Sequence, residues 1–388
     1  MDCTDPTSKK NSEQNDCDRF KSATESSFLS SSRLLALKQD AYTDPDTFSD
    51  EMATIFSHDW IMVGRSGAIP NAGDYFTASL GQRPIVVVRQ HDGSIRAMAN
   101  YCIHRYTKLL EGCGSASKIV CPYHCWVYKI NGQLIHVPHS EGFLNEDIEQ
   151  STLESIACEE HLGYIFVSIK KDLPAVSERL KPLTSLLQNF ELETYEDRWV
   201  VHEEIWQANW KLICQNFLES YHVTYTHTQS IGPANPTQAV EYGPLGNPHF
   251  TVHSNSYTPE KAPNIYNPKL VEQEHRRFYV AGVFPNGLIA VEPNFVWWMA
   301  LEPIAVDQTN TRWGVSFSPY AIERMPDIDL FIEKAIETVK IATAEDKEMV
   351  EKMQLGSRFN ADRVGVLHAS LEINIKEFDD YVHRMLSR

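Results

Sequence analysis

The spacing of apolar residues divides this chain into four stretches of different texture. Residues 1–30 are rich in Ser, Lys, Asp and Glu and poor in large apolar groups, which predicts a disordered tail, because so little apolar surface cannot offset the entropy of ordering. Over Ser32–His58 apolar residues recur at helical intervals (Leu34, Leu35, Leu37, Ala53, Ile55, Phe56). That pattern predicts two short helices interrupted near Asp44-Pro45-Asp46, an N-terminal unit (31–59) packing on the C-terminal domain. From Trp60 the texture turns to short β-rich runs: Trp60–Val63, Pro84–Arg89, Ile119-Val120, Trp126–Tyr128 and Tyr164–Ile169. Asp92-Gly93 and Asn131-Gly132 supply turns between such runs, so residues 60–170 read as a small all-β domain. Residues 171–388 mix both periods. Ser177–Phe190 is amphipathic, strands are expected from Trp199 to Ile205, and a helix from about Trp210. Strands and turns alternate over Phe278–Ser318, and a long helix closes the domain from about Asp327 to Leu355 with Gly356 as its C-terminal cap. The class is α+β, in two domains, with no internal repeat.

Composition narrows the function classes. At 388 residues and 42% apolar content the chain can bury two cores. A net charge of −17 argues against nucleic acid and anionic membrane surfaces as partners. No apolar run reaches spanning length and no signal-peptide pattern opens the chain. The eight cysteines show no paired framework spacing, which fits a reducing compartment, so a cytoplasmic location is expected.

Chemistry concentrates first in Cys102-Ile-His104 and, after sixteen intervening residues, Cys121-Pro-Tyr-His124-Cys-Trp126. Two short loops each offer one thiolate and one imidazole. A [2Fe–2S] cluster with two sulfur ligands on one iron and two histidines on the other needs that set, and neutral imidazole in place of thiolate raises its potential. A Cys₂His₂ zinc site uses the same ligand types, although zinc sites usually draw on Cys-x₂₋₄-Cys pairs. Four unrelated core residues are the remaining alternative.

A second constellation lies in Asn209–His227. Glu219 and His222 are three apart and share a helical face. His227 is five beyond His222, about 140° away on a regular helix, so the helix must end or widen if both are to meet one metal. A π-type turn does this, and an irregular backbone is expected between Val223 and Thr226. On the closing helix the apolar stripe 342, 349, 350, 353 includes Asp346, whereas Glu345, Lys347, Glu348, Glu351 and Lys352 face elsewhere. A core-facing carboxylate needs a partner, either a metal or a buried Arg or hydroxyl. Two histidines and one carboxylate form the facial triad of non-haem Fe(II) sites. Two ordinary buried histidines near a Tyr-rich core are the bland alternative.

The stretch Cys102-Ile-His-Arg…Leu-Glu-Gly…Cys121-Pro-Tyr-His-Cys-Trp-Val-Tyr resembles the motif of the oxygenase components of Rieske non-haem iron oxygenases. Glu-x-x-His-x₄-His with Glu-Asp on a late helix resembles their catalytic domain, and the match covers about residues 35–388. The resemblance implies a Rieske β-domain joined to a helix-grip domain, in which a curved antiparallel sheet wraps a long helix. It implies that Cys102 and Cys121 hold one cluster iron and His104 and His124 the other, and that His222, His227 and Asp346 hold a mononuclear Fe(II). Glu219 would bridge to a cluster histidine, matching His124, in a neighbouring subunit of a homotrimer or other ring. Glu at this bridge occurs in some members acting on quaternary amines. Electrons would come from NAD(P)H through a separate reductase, with or without a ferredoxin; no dinucleotide-binding fingerprint is present in this chain. O2 would then be used for mono- or dihydroxylation, or for oxidative demethylation, of a small aromatic, quaternary-amine or organic-acid substrate. Two departures stand out. Cys125 occupies the place where the family usually has Gly, and Arg105-Tyr-Thr-Lys lacks the extra cysteine of respiratory Rieske proteins.

Phe217, Tyr225, Phe284, Phe295, Trp297, Trp298 and Met299 are candidate pocket residues. Neighbours in a strand point oppositely, so only one of Trp297 and Trp298 can line a shared cavity. The alternative function is an iron–sulfur electron-transfer protein whose C-terminal domain binds a ligand without catalysis.

Overall fold

The computed structural model describes residues 33–149, 151–197, 202–235, 237 and 240–387. The tail expected over 1–30 and the start of the strand expected at Trp199 lie outside the described residues.

The chain opens with strand β1 (Leu34–Lys38), not with the first of the two expected helices. It pairs antiparallel with Val364–Leu367 near the C-terminus, Leu34 opposite Leu367 and Leu35 opposite Val366. Leucines at 34, 35 and 37 suit either period, and a partner more than three hundred residues away decides between them. Helix α1 (Pro45–His58) then forms where expected. Asp44 caps it by accepting from the backbone N–H groups of Asp46 and Thr47, and Pro45 fits the first turn. Its fully buried Glu51 accepts from Trp210 Nε1 at 2.8 Å and from Lys211 Nζ at 2.6 Å, which ties α1 to the C-terminal domain.

The β-domain contains β2 (Ile61–Arg65), β3 (Asp74–Leu80), β4 (Arg83–Arg89), β5 (Ile95–Ala99), β6 (Cys113–Ser115), β7 (Lys118–Val120), β8 (Val127–Lys129), β9 (Leu134–His136), β10 (Ser155–His161) and β11 (Tyr164–Ser168). Seven form a sheet in the order β2-β11-β10-β5-β4-β3-β6, and β7-β8-β9 form a second sheet. Gly132 turns β8 into β9 at φ +90°, and a Cβ there would lie 2.7 Å from Met98 Sδ. A small core of Val86, Met98, Ile119, Trp126 and Tyr128 includes Cys102 and Cys121.

In the C-terminal domain the amphipathic stretch 177–190 is broken. Val176–Arg179 is one turn, α2 (Lys181–Leu187) follows with Pro182 in its first turn, and a 3₁₀ turn ends at Phe190. Then come β12 (Glu196–Asp197), β13 (His202–Trp206), α3 (Trp210–Phe217), α4 (Val223–Thr226), β14 (Glu241–Tyr242), β15 (Phe250–Ser256), β16 (Arg277–Val283), β17 (Gly287–Val291), β18 (Phe295–Ala305), β19 (Gln308–Phe317), α5 (Ile328–Ser357), β20 (Val364–Leu367) and α6 (Ile373–Leu386). A curved antiparallel sheet in the order β12-β19-β18-β17-β16-β15-β14, with β13 also on β19, packs one face against α5. Among the described residues no helix is long and apolar enough to cross a membrane.

Helix α5 starts at Asp327, whose side chain accepts from Leu330 N–H at 3.2 Å. It runs past Gly356, which lies inside the last turn and does not cap it. The buried face is Ala335, Val339, Ala342, Thr343, Asp346, Val350, Gln354 and Ser357. Asp346 sits on it as expected, whereas Met349 is half-buried and Met353 exposed. Over thirty residues the 3.6 period drifts away from the four-residue stripe read locally.

Candidate metal centres

The two cysteine–histidine loops are built alike. Tyr106 N–H returns to Cys102 O at 2.9 Å and Cys125 N–H to Cys121 O at 3.1 Å. The closing residue of each is left-handed, Tyr106 at φ +62° and Cys125 at φ +59°. At the second of these positions the related family usually places Gly, which adopts this conformation without strain. Cys102 and Cys121 are buried, and the rings of His104 and His124 lie 4.7 Å apart. Trp126 stacks on His104, ring centres 5.0 Å apart and nearly parallel, and fixes its plane. Burial and the adjacent His124 and Arg105 hold His104 below its ordinary pKa, favouring the neutral form that a ligand needs. Burial pushes the Cys102 thiol up, although the Tyr128 hydroxyl lies 3.1 Å from its sulfur. His104 Nδ1 and His124 Nδ1 are buried without a hydrogen-bond partner. Two unpartnered ring nitrogens beside two buried sulfurs are the donor set of a Rieske-type cluster, and the loops fit one.

In the second constellation, Asn209 caps α3 by accepting from Lys211 N–H, and its own N–H donates to Gln354 Oε1 on α5 at 2.8 Å. The helix carrying Asp346 is thereby tied to the one preceding Glu219. At the other end of α3, Leu218 packs on Gly282 of β16, where a Cβ would come within 2.4 Å of Leu218 Cδ2. Helix α3 stops at Phe217, and the chain re-enters one regular helical turn at Val223–Thr226. The irregularity expected inside 223–226 is therefore absent. His222 and His227 flank a regular turn, His222 at its N-cap and His227 at its C-cap with ψ +46°. Ending the helix at each histidine, rather than widening it, brings the pair together.

His222 Nε2 lies 3.2 Å from His227 Nε2, and Asp346 Oδ1 lies 3.4 Å and 3.2 Å from them. All three atoms fall within 4.8 Å of one another. Adjacent ligands of one octahedral ion, at bonds of about 2.1 Å, stand about 3.0 Å apart, so the three donors fit one face of such an ion. Each imidazole turns its other nitrogen to a carboxylate. His222 Nδ1–H donates to Glu219 Oε1, and His227 Nδ1–H to Glu345 Oε2 at 3.0 Å. A carboxylate only accepts, so both Nε2 atoms keep a lone pair for the centre. Glu219 also accepts from the N–H groups of Tyr221 and His222, and Glu345 from Gln229 N–H and the Ser230 hydroxyl. Burial disfavours charge on His222, but the Asp346 and Glu219 carboxylates outweigh it and raise its pKa to about 10. Burial likewise opposes ionisation of Asp346, yet the two imidazoles hold it well below the usual carboxylate range. A proton-loving pocket of this kind is what a cation displaces.

The expectation that Glu345 faces away is thus corrected: its carboxylate reaches His227. Sequence reasoning missed it because it sits beside, not on, the buried stripe. Within this chain Glu219 holds His222, one of the two ends of the bridge expected of it.

A cavity of about 390 Å³ opens between the sheet and α5, with His222, His227 and Asp346 in its wall. Phe217, Phe295 and Trp297 line it. Trp298 points to the opposite face, into the core with Tyr164. Phe284 packs on Phe378 and Tyr381, Met299 is in the core, and Tyr225 is exposed, so none of these four lines the cavity. Asn255, Tyr257, Glu292 and Lys334 do line it, and no sequence signal marked them.

Comparison with known proteins follows the same division. Residues 59–157 match the Rieske [2Fe-2S] domain, and residues 190–388 match the ring-hydroxylating alpha subunit (catalytic domain). The glycine betaine monooxygenase oxygenase subunit of Chromohalobacter salexigens is 34% identical over 219 residues, 56% of this chain and 47% of that protein. The chain spans about half the length of the first such curated relatives. A crystal structure of a quaternary ammonium Rieske monooxygenase superposes with TM-score 0.78 at 22% identity, covering 92% of this chain and 96% of that one. Naphthalene 1,2-dioxygenase from Rhodococcus gives 0.78 at 20% identity, covering 91% and 95%. These likenesses to solved structures establish the fold.

Proposed function

The chain belongs to the ring-hydroxylating alpha-subunit family, with a Rieske [2Fe–2S] domain ahead of the catalytic domain, and from that premise we propose that it is the terminal oxygenase of a multicomponent system. The observation that carries this reading is the convergence of His222 Nε2, His227 Nε2 and Asp346 Oδ1 in the wall of one cavity. These three residues would hold a mononuclear Fe(II), Cys102 and Cys121 one iron of the cluster, and His104 and His124 the other. Loaded, the two centres supply single-electron relay and dioxygen chemistry.

The protein's own residues then have separate tasks. Glu219 and Glu345 orient the imidazoles. Phe217, Phe295 and Trp297 keep water from the substrate. Glu219 also borders an outer groove shared with Tyr42, Tyr221 and Tyr225, which supports its second role as the bridge to a cluster histidine of a neighbouring copy in a homotrimer or similar ring. Electrons would reach the cluster from a separate NAD(P)H-dependent reductase, in the cytoplasm. The relative that acts on glycine betaine supports a small methylated amine as substrate and hydroxylation or oxidative demethylation as outcome.

Anaerobic iron and sulfide analysis, paired with O2 uptake driven by a surrogate reductase, tests the reading. Two cluster irons plus one are expected, and Asp346→Ala should lose the single iron while the red-brown colour persists. Cluster iron alone in the unaltered protein, with no substrate-dependent O2 uptake, would leave an electron-transfer protein with a ligand-binding domain.

A further inference from the structure

Glu292 directly follows β17, and its N–H bonds Phe295 O at 2.9 Å across a tight hairpin. By the two-residue period of a strand its side chain shares the inner face with Ala290, and both line the cavity. The strand register orders that face into rows. His253, Val280, Ala290 and Trp297 stand opposite one another in one row. His253 Nε2 lies 2.7 Å from the Ser220 hydroxyl, two residues before His222, so this row adjoins the metal ligands. Asn255 and Phe278 pair in the next row outward. Glu292, two residues beyond Ala290, belongs to that row, about 7 Å further from the metal ligands at roughly 3.4 Å per residue. Aromatic rings surround it. Tyr257 and Phe278 lie 5.4 Å apart, and Phe331 of α5 meets Phe295 edge-on at 6.4 Å.

A carboxylate in such a place is unusual. Burial raises the Glu292 pKa to about 7, and among the described residues the Tyr257 hydroxyl, which donates to Oε2, is the group that favours its ionised form. The other charged groups lining the cavity are Glu219, His222, His227 and Asp346, engaged with one another, and Lys334 near the N-terminal end of α5. An apolar guest would leave this carboxylate desolvated with only the Tyr257 hydroxyl against it, which is unfavourable in a water-poor site. A cationic guest removes that cost and gains cation–π attraction from the rings.

Resting on the oxygenase reading above, we propose that Glu292, steadied by Tyr257, is the residue that selects a positively charged amine for this cavity. The methylated nitrogen lies against the Tyr257, Phe278 and Phe295 rings, and its neighbouring carbons reach the inner row beside the metal ligands. Glu292 is a specificity residue and takes no part in the chemistry.

Choline and its neutral carbon isostere 3,3-dimethylbutan-1-ol separate charge from shape. Both are titrated calorimetrically into the holoenzyme and into Glu292→Gln, which retains the size and the acceptor for Tyr257. The unaltered protein should bind choline at least about tenfold tighter than the isostere. Glu292→Gln should lose most of that preference, keeping only the share the rings supply, while holding the isostere equally well, with iron content and visible spectrum unchanged. Equal binding of the two probes by the unaltered protein, no choline binding at millimolar concentration, or an intact preference in Glu292→Gln would each overturn the proposal. If Glu292→Gln does not fold, Glu292→Met is titrated in its place, and an intact preference for choline there overturns the proposal. Failure of the oxygenase reading shows elsewhere, as a missing third iron and absent O2 uptake.

Discussion

Replacing Glu345 isolates what an outer carboxylate does for His227. Its Oε2 takes the Nδ1–H of His227 at 3.0 Å, and the same group accepts from Gln229 N–H at 3.3 Å and from the Ser230 hydroxyl. A charged acceptor makes the ring a stronger donor through Nε2 and fixes its plane. Losing such a partner typically costs 10–100-fold in metal affinity, or about 1.4–2.8 kcal/mol at about 1.4 kcal/mol per decade. The Glu345 side chain is 15% exposed, so water can replace part of the interaction. Glu345→Gln, which loses the charge but keeps an acceptor, should therefore weaken Fe(II) binding about tenfold. Glu345→Ala, which frees the ring, should approach a hundredfold. The assay is anaerobic titration of protein stripped of its mononuclear iron against a chromogenic chelator, with the visible absorbance of the cluster as internal control. Unchanged Fe(II) affinity in both variants would refute the role given to Glu345, and loss of cluster absorbance would make the residue structural.

Other outcomes follow from the same geometry. With no ion bound His222 holds its proton up to about pH 10, well above the ordinary 6.5, so Fe(II) must displace it. Apparent affinity should rise about tenfold per pH unit for each proton released between pH 6 and 9, as read by the same chelator competition. By the sign of that shift, the stability His222 lends to the stripped protein is complete below about pH 6.5 and lost as pH rises through about 10, so its melting temperature should fall over that window. Gly232→Ala would place a Cβ 2.6 Å from His227 O and 2.8 Å from Val223 O. It should shift the turn carrying both histidines and lose the single iron, with cluster colour retained. Cys125, at φ +59°, should tolerate Gly, whereas the β-branched Cys125→Val crowds the left-handed backbone further, detectable as earlier bleaching of the cluster on heating.

The candidate ligand sets were legible because each stands in a short stretch whose spacing has chemical meaning. Cys-x-His and Cys-x₂-His loops, and Glu-x-x-His-x₄-His, state donor types and their order. Asp346 was legible because a carboxylate interrupts an apolar helical stripe. Elements whose state depends on a remote partner were not legible. Leu34–Lys38 are a strand only because Val364–Leu367 pair with them. The two histidines meet through an ended helix rather than a widened one, and the tight seat of Leu218 against Gly282 of β16 directly follows the last residue of α3.

Local residue order determined which atoms can bind metal, because donor chemistry belongs to single side chains and to spacings of a few residues. Tertiary structure decided what surrounds those atoms. Glu345 reaches His227 across more than a hundred residues, and Glu292 joins the cavity only because an antiparallel register aligns its row with Phe278 and Phe295. Such alignments depend on pairing between segments distant in the chain, and no local period records them.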